Sequence, residues 1–147
     1  MVKVEIRVDD QGLEKALLSK GNEVEKRGRQ LLRDLLDVAQ RWVQSEAPRR
    51  TGRLKSSVKK QSSGSGGYVF VSKNIAPYAF WVIDGTRPHT IIPKNGKALS
   101  WPGAKHPVKK VRHPGTKPNP FVDKAAQKMM SDIEKNVKLF EDWLVDV

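Results

Sequence analysis

The sequence predicts an α+β domain: an antiparallel β-sheet with a long N-terminal helix and a C-terminal helix packed on one face, plus extended hairpin arms. Three observations predict it. Apolar residues alternate with a period of two at the start of the chain, recur at helical spacing in two long segments, and between those segments fall into short runs broken by glycine, proline and serine. The 147 residues fit one domain, 1–147, a length that hides about two-thirds of the unfolded surface.

The elements follow in order. Val2, Val4, Ile6 and Val8 alternate with Lys3, Glu5 and Arg7, which predicts a half-buried strand over 2–8. Asp9 or Asp10 caps the next helix, and Glu14 lies in its first turn. Leu13, Leu17, Val24, Leu31, Leu35, Val38 and Trp42 recur at helical spacing, so one amphipathic helix is expected over 10–46, ended by Pro48. Gly21 and Gly28 lie near its apolar face, as a bend or a close approach to another backbone requires. Residues 47–113 read as antiparallel sheet and hairpin arms. Strands are expected at Leu54–Val58 and Tyr68–Val71, with 62–67 as a flexible loop between them. The aromatic run Tyr78–Ile83 ends at the turn signal Asp84-Gly85-Thr86. A second hairpin is expected where Thr90–Ile92 and Ala98–Trp101 flank Asn95-Gly96. Pro102 and Pro107 bracket a short loop, and Val108–Arg112 forms a further strand. The last helix spans 119–145, with Asn119 as its N-cap and Pro120 at its first position. Its apolar stripe is Val122, Ala126, Met129, Ile133, Val137, Phe140 and Leu144.

Charge is unevenly distributed. The net charge is +12, yet Ala47–Val122 holds fifteen bases and one acid, Asp84, a net of +14, whereas the flanks hold thirteen bases and fifteen acids, a net of −2. Such a block favours an acidic partner: nucleic acid, an acidic protein ring, or the opposite face of a neighbouring copy. Arg49, Arg50, Arg53, Lys55, Lys59 and Lys60 are the candidates for facing it. No stretch reaches the roughly 20 apolar residues that cross a bilayer, and the N-terminus has no apolar signal core, so neither a membrane nor secretion is expected. Without cysteine there are no disulfides and no thiolate metal sites.

The residue patterns of catalysis are missing. The chain has no phosphate-binding glycine loop, no G-x-S-x-G elbow and no HExxH. With one acid in the central region, neither a carboxylate pair nor an acidic magnesium site is expected there. His89, His106 and His113 lie beside or near prolines at spacings that match no common ligand set, within a field of Lys and Arg, so loop hydrogen bonding is their default role. Trp42 and Trp143 fall on helix stripes and are expected in the core. Trp101, between Ser100 and Pro102, is the exposed candidate, suited to packing or a protein interface rather than base stacking. No catalytic, metal or cofactor residue is predicted.

Three motifs carry a resemblance. Ala47-Pro48-Arg49-Arg50-Thr51-Gly52-Arg53-Leu54, with Ser57-Val58, follows a long helix. Tyr78-Ala79-Phe80-Trp81-Val82-Ile83-Asp84-Gly85-Thr86 is the second, and Pro118-Asn119-Pro120-Phe121 with Ala125 the third. In this order, over 47–125, they resemble the head–tail connector (neck) and tail-completion family of minor tail proteins of long-tailed bacteriophages. Pro88-His89-Thr90-Ile91 and His113-Pro114-Gly115-Thr116 resemble many members as well. The chain departs at Ile83, where many members carry an acid. Read physically, Pro48, Thr51, Gly52, Leu54, Tyr78, Ala79, Gly85, Thr86, Pro118, Pro120 and Phe121 do architectural work: they turn the chain between elements and fix the approach to the last helix.

The resemblance implies a non-catalytic virion subunit at the head–tail junction, made in the host cytoplasm. It would form a homo-oligomeric ring, six-fold by expectation and twelve-fold as the alternative. The ring would meet adjoining head-closure or adaptor proteins and tail-tube or tail-terminator proteins, and genome DNA without sequence specificity. Loop 62–67 and the 89–113 region are the expected reach to neighbours, with Ile91, Ile92, Leu99 and Trp101 at the interface. The competing class is a free-standing basic nucleic-acid-binding module.

Overall fold

The computed structural model describes residues 3–7, 21–94 and 96–146. The chain divides into two compact units, Met1–Ala79 with Pro120–Val147, and Phe80–Asn119.

The first unit is built on alternation. Strand β1 (Lys3–Arg7) and strand β2 (Val58–Ser63) both pair antiparallel with the central strand β3 (Gly66–Val71). Gly67, Val69 and Val71 turn to the buried face, and Tyr68 and Phe70 to the other. Helix α1 (Asn22–Glu46) lies against the buried face. It places Val24, Leu31, Leu32, Leu35, Leu36, Val38, Ala39 and Val43 inward at the spacing expected of an amphipathic helix. Gly67 is glycine because a Cβ there would sit 2.7 Å from Leu36 Cδ1. Gln40 Nε2 donates to the Val58 carbonyl at 2.9 Å, and Lys60 forms an ion pair with Asp37, so polar contacts fix the helix over the strand pair.

Helix α4 (Phe121–Asp146) runs antiparallel to α1. Trp42 Nε1 donates to Asp132 Oδ2 at 2.7 Å, Lys128 pairs with Glu46 at 2.7 Å, and Arg27 stacks on the Trp143 ring at 4.8 Å. Phe121, Val122, Ala125 and Met129 complete the core. Burying the Phe121 ring contributes about 2–3 kcal/mol. The expected helix-backed antiparallel sheet is therefore present. No described helix is long and apolar enough to cross a membrane.

Several local expectations are corrected. The segment Leu54–Val58 does not begin as a strand: Arg53–Ser57 is one helical turn, α2, closed by Ser56 N–H donating to Gly52 O at 2.9 Å. Leu54 and Ser57 face inward three residues apart, as one turn of helix requires, and the strand starts at Val58. Residues 62–67 are not a loop, because the ladder continues through Ser62↔Gly67 and Ser63↔Gly66, leaving Gly64-Ser65 as the turn. The first helix does not run unbroken from 10 to 46. It opens at Asn22, after Gly21 at φ 67°. Val2, Val8, Asp9, Asp10, Leu13, Glu14 and Leu17 lie outside the described residues.

The second unit is built from strand pairing with little burial. The aromatic run forms a short helix, α3 (Ala79–Asp84), which enters the unit at Phe80. Strand β4 (His89–Ile91) pairs antiparallel with β5 (Val111–His113), and an isolated bridge joins Leu99 to Val108. The expected pairing of Thr90–Ile92 with Ala98–Trp101 is thereby corrected, while Asn95 itself lies outside the described residues. Folding there would set Lys94 opposite Lys97 and place Pro93, which has no N–H, in the ladder. The chain instead makes one longer excursion with a turn at 101–104, where Ala104 N–H donates to Trp101 O at 3.0 Å.

Candidate functional site

Two Gly-Thr pairs close the excursion at its base. Thr86 N–H donates to Thr116 O at 3.0 Å, and Thr116 N–H donates to Thr86 O at 3.0 Å. The hydroxyls of the same two threonines lie 2.8 Å apart. Each threonine follows a glycine with positive φ, Gly85 at 72° and Gly115 at 86°. A Cβ on Gly85 would lie 2.4 Å from Thr116 O, and one on Gly115 would lie 2.3 Å from Thr86 O. Each glycine therefore makes room for the carbonyl of the opposite threonine. Two motifs thirty residues apart in sequence form one reciprocal clasp. The bond from Asn119 N–H to Val82 O, 3.0 Å, ties the end of α3 to the outgoing chain beneath it.

Above the clasp the arm stays in register through His89↔His113, Thr90↔Arg112 and Ile91↔Val111. The two imidazoles stack at 5.0 Å. His113 Nδ1 accepts the Gly115 N–H at 3.0 Å, and His89 Nδ1 lies 2.8 Å from Arg87 O. Both are local hydrogen bonds, two residues along the chain, although His89 and His113 stand in paired strands rather than in loops. Because Nδ1 of His113 accepts, the proton of its neutral ring sits on Nε2. A shallow hollow beside the pair is lined by Pro88, Thr90, Arg112 and Pro114 as well as both rings. It contains no carboxylate. Among the described residues no group of three His, Cys, Asp or Glu is placed to hold a metal ion.

The arm presents apolar and cationic side chains together. Ile92 is 64% exposed, Trp101 is 49% exposed, and Ile91 is exposed as well. Leu99 is half-buried, its backbone bonded to Val108. Residues 80–119 carry eight bases and one acid, Asp84, a net of +7. None of the eight has an ion-pair partner among the described residues.

Phe80 and Trp81, the latter 58% exposed, are further surface aromatics that the sequence reading did not single out. Helical spacing held the signal. In one turn from Ala79, residues 79, 82 and 83 share the sheltered side, which leaves 80 and 81 outward.

The six bases named between 49 and 60 lie in the first unit and do not form one surface. Lys59 pairs across from Phe70 on the open face of the sheet, whereas Lys60 pairs across from Val69 on the helix face and binds Asp37. Strand alternation separates them. Arg53 Nε donates to Ile75 O at 2.6 Å, which ties the start of α2 to the turn after β3. Arg49 and Arg50 are exposed and Lys55 is half-buried.

The architectural residues divide similarly. Gly52 adopts φ 74° immediately before α2, and Leu54 and Ala79 are buried. Pro48 and Tyr78 are half-buried, and Thr51 Oγ1 lies 3.5 Å from the Arg53 N–H. Pro118 abuts Gly85, Pro120 O accepts the Lys124 N–H at 3.1 Å, and Phe121 is wholly buried. No family model, curated protein or solved structure matches this chain.

Proposed function

We propose that the chain is a structural, non-catalytic subunit of a tailed-virus particle, one that assembles into a ring at the head–tail junction and works by fitting between neighbours. The observation that carries this reading is the clasp. Gly85-Thr86 and Gly115-Thr116 were singled out as separate pieces of a resemblance, and they meet in one device that closes an exposed, cationic, apolar arm. An arm fastened at its base with Ile92 and Trp101 bare is suited to contact with another protein, since aromatic anchors dominate such contacts. The ordered motifs over 47–125 support the same reading through family resemblance.

Electron microscopy of the purified full-length protein tests it. Closed rings of uniform size are expected, together with presence of the chain at the neck of purified particles. A lone monomer absent from particles ends the reading.

The cationic excess supports a second reading, a nucleic-acid-binding module acting outside any particle. That reading expects the isolated monomer to bind duplex DNA with steep salt dependence. The ring reading expects only weak binding by the isolated monomer, and assembly with other particle proteins instead.

A further inference from the structure

Two surfaces of this chain are unfavourable alone and complementary to each other. The first is the C-terminal end of α4. A helix ends with a negative partial charge, which Lys or Arg in the last turn ordinarily offsets. Helix α4 has no base in its last turn, and Glu141 and Asp142 stand beside it. Neither has an ion-pair partner among the described residues. On the same stretch Leu139 is 61% exposed and Val145 is 84% exposed. A groove alongside is lined by Arg27, Gln30, Asp34, Leu139, Phe140 and Trp143. The second surface is the arm, with its net +7, its unpaired bases, and its exposed Ile91, Ile92 and Trp101.

We propose that the arm of one copy docks on the C-terminal end of α4 in a second copy. Trp101 and Ile92 pack on Leu139 and the adjoining groove, while Lys109 and Lys110 face Glu141 and Asp142. Opposite charges select the partner and its orientation, and the aromatic side chain supplies the buried anchor. The contact joins two different patches, so every copy both gives an arm and receives one. Such head-to-tail contacts close into a ring when the rotation between copies permits. The proposal rests on the ring reading for closure and on the charges for the contact itself. Duplex DNA is the rival occupant of the arm, but it leaves the acidic, apolar end of α4 unexplained, because that end repels phosphate.

The test compares charge reversals in the full-length chain by sedimentation over a range of concentrations. Glu141→Lys with Asp142→Lys is expected to weaken self-association about 30-fold. It should leave the melting temperature of the dilute monomer unchanged or raised, because a base at a helix C-terminus is favourable. Lys109→Glu with Lys110→Glu is expected to weaken association to the same degree. Mixing the two variants, or combining all four changes in one chain, is expected to restore it. If rings form and neither reversal disturbs them, this contact is wrong and the ring reading stands. If both patches are needed for association but only open chains form and particles lack the protein, the contact stands and the ring reading fails. A concentration-independent monomer overturns the contact. So does loss of duplex-DNA binding in the Lys109/Lys110 variant with association untouched.

Discussion

In the described residues from 3 to 7, 21 to 79 and 120 to 146, burial holds the chain together: Phe121, Val24, Val43 and Val58 are sealed from solvent, and Leu36 nearly so. From 80 to 119 no described residue is buried, and hydrogen bonds do the holding, two of them reciprocal between Thr86 and Thr116. The difference separates two tasks. A packed core resists change because removing volume leaves a cavity. A ladder of backbone bonds needs only its register and its φ values, so its side chains are free to be chosen for what they meet outside. The bare Trp101 and the unpaired lysines sit where no packing constraint reaches them.

Three measurements break or sharpen this contrast. The largest effect belongs to the core. Phe121→Ala is expected to cost about 3–5 kcal/mol in denaturant unfolding. A cost below about 1 kcal/mol, typical of surface sites, would mean that the ring is not the centre of the helix–sheet packing.

An intermediate and local effect is expected at the clasp. Gly85→Ala forces a Cβ into a left-handed conformation and against Thr116 O, a strain of about 1–3 kcal/mol. Amide exchange should accelerate at Thr86 and Thr116 while the amides of α1 and α4 keep their protection. Unchanged protection at Thr86 would show that the clasp does not depend on glycine.

The smallest effect on stability is expected at Trp101. Trp101→Ala should shift unfolding by no more than about 0.5 kcal/mol, as exposed sites do, while abolishing self-association. A large loss of stability would place the indole among the groups that hold the fold, and the contrast between the two regions would fail there.

The packed region was largely legible in the sequence and the arm was not. The period of Leu31, Leu35, Val38 and Trp42, and that of Val122, Met129 and Ile133, runs over many turns, and repetition makes a period readable. A single turn such as Arg53–Ser57 offers no repetition, so Leu54-Lys55-Ser56-Ser57-Val58 reads equally well as a strand. Gly66 and Gly67 look like loop by composition, yet both are paired in the ladder, and at Gly67 Leu36 occupies the space a side chain would need. Asn95-Gly96 is a strong local turn signal in the string, yet the strands expected to flank it pair elsewhere, Ile91 with Val111, twenty positions away, and Leu99 with Val108. Of the interface candidates, Ile91, Ile92 and Trp101 are exposed and Leu99 is half-buried, with its backbone bonded to Val108. The clasp was recognised as two motifs but not as one object, since nothing in a linear string tells that one glycine's missing carbon is the other threonine's space.

That fastening has a consequence for engineering. With residues 86 and 116 pinned to each other, whatever is spliced between Ile92 and Lys110 begins and ends at the same two points. Doubling the length of such a closed segment costs only about 0.6 kcal/mol in chain entropy. A foreign epitope or peptide tag grafted there should therefore leave the helix-backed sheet as it was, and the protein becomes a display scaffold with a ready-made socket.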